Sequence, residues 1–300
     1  MMIRKETYRK PGAKVFLSLA AAVCICFSCT GAEQKEMKAS QIIRLLAKGK
    51  QVHIHDAIIT DDLDFTLGGT RMNLLAGALQ REAASGIFFA NCVFMGKVTA
   101  GGQQKSLPVH TCFRNNLIFT ACDFRGTVNF NDAVVFGTVN FSKSVFREDA
   151  SFNNMAIWAK DSYFSEVTAE KKFSAIYTSF AGNLHCIGAQ FGDYASFQEM
   201  SVKGKLTFNY SAFKGKAGFE LTETCGGAFF HHVRFEQDAD FSFSRFLHTA
   251  DFVNVTFGKK GNFEKAFFLN TARFDGTDMQ KDLILRDTFF GNNTLNNNMP

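Results

Sequence analysis

The chain has 300 residues, 46% of them apolar, with 36 phenylalanines and only 3 prolines. Its formal charge of +5 gathers at the start, where Arg4, Lys5, Arg9, Lys10 and Lys14 stand against Glu6. The sequence beyond residue 28 is left with 28 basic and 27 acidic residues. A near-neutral domain of this kind is neither a polycation for nucleic acid nor a polyanion, and the apolar content excludes a disordered chain.

Residues 1–29 read as a secretion signal, basic as far as Lys14 and then apolar from Val15 to Phe27. That run is too short to span a bilayer comfortably. Its end, Cys26-Phe27-Ser28-Cys29-Thr30-Gly31, resembles a bacterial lipoprotein box, although Cys26 and Phe27 depart from the usual aliphatic and small residues. The resemblance implies acylation of Cys29, a membrane tether through that lipid, and a place in the bacterial cell envelope, at the outer membrane or facing the periplasm. Ordinary cleavage after Ala32 and an uncleaved anchor are the other readings.

Residues 30–39 follow as a polar tether. Ser40 to Lys48 has the pattern of an amphipathic helix, with Ser40 as N-cap and Gly49 as stop. Such a helix suits the open end of a stacked structure, which needs a cover. Val52, Ile54, Ala57, Ile59, Leu63 and Phe65 then read as strands. Residues 66–86 and 100–109 break the pattern and predict two excursions, each a hairpin or loop.

From Phe113 onward a large apolar residue returns at alternating intervals of five and six. The clearest part runs Phe208, Phe213, Phe219, Thr224, Phe230, Phe235, Phe241, Phe246, Phe252, Phe257, Phe263, Phe268, Phe274, Met279, Leu285, Phe290. A second row two residues earlier is small and uncharged, as at Ala239, Ser244, Ala250 and Ala272. Neither a helix nor one long strand has this period. Short strands separated by corners do, because residues i−2 and i of a strand share a face. One extra residue between Phe152 and Phe164 predicts a bulge near Trp158, and the small Ala169 and Ala175 predict a distorted turn. After residue 290 the Asn-rich tail, 291–300, reads as frayed.

The triplets Ala239-Asp240-Phe241, Ala250-Asp251-Phe252 and Ala272-Arg273-Phe274 resemble the units of the pentapeptide-repeat family, in the variant whose strides alternate five and six. The resemblance implies an all-β fold, a right-handed four-sided β-helix (a solenoid) behind a short N-terminal capping helix. Four strides would make a turn of about 22 residues, which puts Phe208, Phe230, Phe252 and Phe274 in one internal column, and Phe213, Phe235, Phe257 and Met279 in another.

No nucleophile elbow, phosphate loop or metal motif is present, so neither a catalytic residue nor a cofactor or metal is expected. His53 and His55 face outward together, and His231, His232 and His248 cluster only on paper. Asp61, Asp62 and Asp64 crowd the first turn, and the 22-residue offset pairs Asp251 with Arg273, Lys214 with Glu236, and Lys216 with Asp238 in a solvated ladder. Cys92, Cys112, Cys122, Cys186 and Cys225 read as small buried hydrophobes, a Cys112–Cys122 disulfide being the alternative. Phe267 and Phe289 lie 22 apart, point outward, and mark either a partner surface or a patch covered by the tail or another subunit.

The expected function is a non-catalytic, lipid-anchored scaffold for an unknown protein partner. The alternative is an extracytoplasmic β-helix that binds or cleaves polysaccharide. A DNA-mimic topoisomerase inhibitor comes last, against the charge balance.

Overall fold

The computed structural model describes residues 34–75, 77–104, 106–277 and 283–291. The segment read as a secretion signal, with Cys29, the residues to 33, Met279 and the tail from 292 lie outside them. Short parallel strands follow one another around four sides, and each side stacks its strands into one sheet. Three sheets contain 10 strands and the fourth contains 12. In the order the chain meets them, sheet I starts at Val52–His55, sheet II takes Ala57–Ile59, sheet III starts at Leu63–Asp64, and sheet IV contains Leu107–Phe113. The result is a four-sided repeat β-solenoid.

The 22-residue offset is observed directly. Phe213 pairs in register with Phe235, and Phe235 with Phe257. Inside the tube, Phe208 stacks on Phe230 with ring centroids 5.6 Å apart, and Phe252 on Phe274 at 5.1 Å. Neighbouring columns meet edge to face, as Phe241 does Phe252 at 5.3 Å and 88°. Stacking along the axis and edge contacts across it are both arrangements that the aromatic quadrupole favours. Every described phenylalanine of the late register is fully buried as far as Phe274.

The alternation of five and six comes from two kinds of corner. In a five-residue stride such as Phe208 to Phe213, the Ser211 N–H donates to the Phe208 carbonyl at 3.1 Å, and Tyr210 has φ +62°. A positive φ at the third position of a hydrogen-bonded turn marks type II. It recurs at Leu221, His232, Phe243, Asn254 and Lys265. The six-residue strides bend without it. A hydroxyl closes many of the tight corners: Ser211 Oγ donates to the Cys186 carbonyl at 2.6 Å and accepts from the Ala189 N–H at 3.0 Å. Ser144, Thr222 and Ser244 make the same reach into the preceding turn. This explains the Ser and Thr members of the small-residue row, since each satisfies backbone groups that the corner would otherwise leave unpaired.

Helix α1 (Ala39–Ala47) buries Ala39, Ile42 and Leu46 against the first turn. Ser40 is not its N-cap. The helix begins one residue earlier, after Lys38, and its first N–H groups are met from elsewhere. Asp61 Oδ1 accepts from the Ala39 N–H at 2.7 Å, and Gln41 Oε1 from the Lys38 N–H at 3.3 Å. Part of the segment read as tether is a strand, Lys35–Met37, paired in parallel with Ala57–Ile59.

Both excursions are hairpins, and they meet. Arg71–Leu75 pairs antiparallel with Ala78–Ala83, and Gly101–Gln104 with the first part of Leu107–Phe113. Val109–Phe113 then pairs in parallel with residues 79–83. Two insertions at one corner of successive turns therefore extend sheet IV sideways as a tab.

The extra residue beside Trp158 shifts the register once. Val134 still pairs with Ala156, whereas Val139 pairs with Ser162, an offset of 23. The distorted turn is also present, in an unexpected form. Phe173, in the small-residue row, turns inward and meets Phe152 at 5.3 Å and Phe191 at 5.2 Å, doing the work of the missing ring at Ala175. A residual apolar void of about 10 Å³ remains beside Ala175 and Cys186, at the lower limit for a single water.

Candidate functional site

The outer faces decide what the tube can do, because its interior is filled. The three aspartates of the first turn do not form an acidic centre. Asp61 caps helix α1, Asp62 Oδ1 accepts from the Lys97 N–H at 2.8 Å, and Asp64 Oδ1 accepts from the N–H and hydroxyl of Thr66. Each carboxylate is used locally for backbone that has left the sheet.

The histidines disperse as well. His53 leans on Phe88 at 5.8 Å, and His55 Nδ1 lies 2.9 Å from Asp56 Oδ2. His232 stacks on Tyr210, and His248 Nδ1 accepts from the Thr249 N–H. Among the described residues no three His, Cys, Asp or Glu side chains are grouped to hold a metal ion.

The charge ladder needs two corrections. Lys214 and Glu236 form no ion pair; Glu236 lies 3.9 Å from Arg234 instead. Asp251 does pair with Arg273 at 3.2 Å, but it is buried, not solvated. His231 Nε2 stands 2.9 Å from Asp251 Oδ2, although the geometry is too poor for a hydrogen bond, and Oδ1 has no partner. A buried carboxylate held between a guanidinium and an imidazole costs desolvation that a surface pair does not. The Lys216–Asp238 pair forms at 3.7 Å.

All five described cysteines are free, so Cys112 and Cys122 are not joined. The neighbour of Cys122 is Cys92, one residue before the paired Val93 and Asp123. The Cys122 thiol beside it pulls Cys92 down to about 7, while burial pushes Cys122 well up. Both are shielded from solvent.

Phe267 and Phe289 stack on the outside of sheet IV, ring centroids 4.7 Å apart and 11° from parallel. Leu269 beside them is 51% exposed and Phe289 49%. Further along the same sheet Arg114 lies over Phe136 at 4.9 Å, and Phe136 stacks on Trp158. Sheet IV thus carries two separate aromatic patches, of which the period located only the first. Phe136 and Trp158 also lie 22 residues apart, just before the register shifts between Ile157 and Ser162.

Two open grooves of about 500 and 480 Å³ follow the edge between sheets IV and I. Phe88 walls one and Phe229 the other. Both come from the same four-residue pattern, Gly86-Ile87-Phe88-Phe89 and Gly227-Ala228-Phe229-Phe230, whose second phenylalanine points inward. A Cβ on either glycine would stand 2.7 Å from the outer ring, so each partly exposed ring occupies the space over bare backbone that a side chain there would fill. A glycine two residues before an outward phenylalanine was the signal for these grooves.

No family model matches the chain, and no curated protein or solved structure matches it either.

Proposed function

We propose that the protein is a non-catalytic interaction scaffold of the pentapeptide-repeat type, exported and anchored in the bacterial envelope by a lipid on Cys29. The Phe267–Phe289 stack carries this reading: two rings on rigid strands, with exposed Leu269 beside them and the ion-paired Arg245 one strand away in register with Phe267. An aromatic pair fixed in this way loses little entropy on docking and suits a protein partner. Alternating triplets such as Ala239-Asp240-Phe241, together with the stacked 22-residue turns, support the family assignment. The box around Cys29 supports the tether.

The test uses the full chain in its host. A photo-crosslinker at position 289 should capture one discrete protein, and Phe267→Ala should abolish the capture. Labelled fatty acid should mark the wild type and not Cys29→Ala, which should leave the membrane fraction. Label and membrane retention in that variant would overturn the tether, and indiscriminate crosslinking would overturn the docking surface.

A further inference from the structure

We infer that the edge between sheets IV and I binds an extended, neutral oligosaccharide, seated on Phe88 and Phe229. The site is independent of the Phe267–Phe289 stack. It rests on two grooves built the same way at two levels of one column. On the outside of sheet I the register runs Phe88, Ile118, Asn140, Tyr163, His185, Thr207, Phe229. Six strand spacings of ~4.8 Å separate the two phenylalanines by ~29 Å, a span that an extended oligomer can bridge and a disaccharide cannot.

Each groove pairs an apolar ring with hydrogen-bonding groups, of which only Lys205 is charged. Beside Phe88 stand Gln51, Ser85, Asn115 and Asn116. Beside Phe229 stand Asn183, Thr249, His248 and Lys205. The amides are held in place: Asn115 Nδ2 donates to the Ala84 carbonyl at 2.6 Å, and Asn183 Nδ2 to Asp161 Oδ1 at 2.7 Å. An apolar wall with a few fixed polar groups is how a small-molecule site obtains both contact area and orientation. The matching ligand has an apolar C–H face and a rim of hydroxyls, which describes a pyranose ring.

Midway along the column Tyr163 stacks on His185 at 5.0 Å and 14°, and Asp161 holds the imidazole at 3.1 Å. Rings therefore stand at both ends and in the middle. The path carries Lys205 in one groove and Asp161 at its midpoint, so neither sign dominates and a neutral chain fits better than an acidic one. Amides and aromatics also suit an extended peptide, but a ring in each groove flanked by hydroxyl-matching groups favours the sugar.

The test is calorimetry on the full chain with cellohexaose and hexa-N-acetylchitohexaose, against their dimers cellobiose and diacetylchitobiose. At least one hexamer should bind, and its dimer should bind at least about tenfold more weakly. Phe88→Ala and Phe229→Ala should each weaken the hexamer by about tenfold and leave its dimer's remaining binding to the other groove. Thr249→Trp fills the second groove without removing a wall, so it should act like Phe229→Ala even if that variant folds poorly. Phe289→Ala should change nothing. Failure of both hexamers to bind, equal binding of dimer and hexamer, or wild-type affinity in both groove variants would overturn the site. An extended peptide captured in the grooves while both sugars stay inert would overturn it too.

Discussion

Phe230 and Phe252 lie one turn apart with ring centroids 4.8 Å from each other and planes within 2° of parallel. Both are fully buried, and each also meets the edge of Phe241. Removing either ring breaks a stack in two directions. Phe252→Ala should cost about 3–5 kcal/mol in denaturant unfolding, and Phe252→Leu much less. A loss below about 1 kcal/mol for the alanine variant would mean that the column does not carry the fold.

Thr224 occupies a phenylalanine position between Val202 and Phe246. Its hydroxyl is buried and has no partner. The equally buried Ser211 hydroxyl makes two hydrogen bonds. Opposite signs are therefore expected. Thr224→Val should raise stability by about 1 kcal/mol, and Ser211→Ala should lower it by about 1–2 kcal/mol. Melting curves of the two variants measured side by side decide the matter.

Much of the interior could be read from the period alone. Phe213, Phe235 and Phe257 repeat every 22 residues, and a parallel register turns that number into vertical neighbours. What stayed hidden depends on contacts that no period encodes. The pairing of Val109 with Leu79 joins two insertions whose lengths merely happen to bring them level. Lys35–Met37 is polar in composition and forms a strand because the edge of Ala57–Ile59 is available to it. Asp251 reads as a surface residue, and only the side chains around it, Arg273 and His231, reveal that it is covered.

Glu220 and Glu264 should make opposite contributions to the pH dependence of stability. Burial raises the Glu220 carboxyl above its usual value, with Asp240 adding to the effect. The folded state then holds its proton more tightly than the unfolded chain. That contribution is complete below the unfolded value and is lost as pH rises through the folded one. Glu220→Gln should flatten this fall and gain a few tenths of a kcal/mol at neutral pH.

The hydrogen bond from Arg286 lowers Glu264, so its contribution is present above the unfolded value and is lost on acidification through the folded one. Glu264→Gln should therefore weaken the protein at neutral pH and leave it unchanged in acid. Unfolding measured across pH 3–8 would refute the assignment if both variants shifted in the same direction.

The turn around Phe173 separates the rule of the repeat from the packing that results. By the rule, Ala175 and Cys186 are phenylalanine positions, and restoring a ring at either should help. The structure implies the reverse for single changes. Phe173 already fills that layer, in contact with Phe152, Phe191 and Phe197. The void left beside Cys186 holds about 10 Å³, far less than a benzyl group requires. Cys186→Phe should therefore overpack the core and cost about 1–3 kcal/mol. Ala175→Phe alone should fail for the same reason. Exchanging the pair, Phe173→Ala with Ala175→Phe, conserves volume and puts the ring back on the column of the other turns. The double variant should recover most of the loss of Ala175→Phe, a coupling of at least about 1 kcal/mol in a double-mutant cycle. Additive losses would show that Phe173 does not stand in for the missing ring.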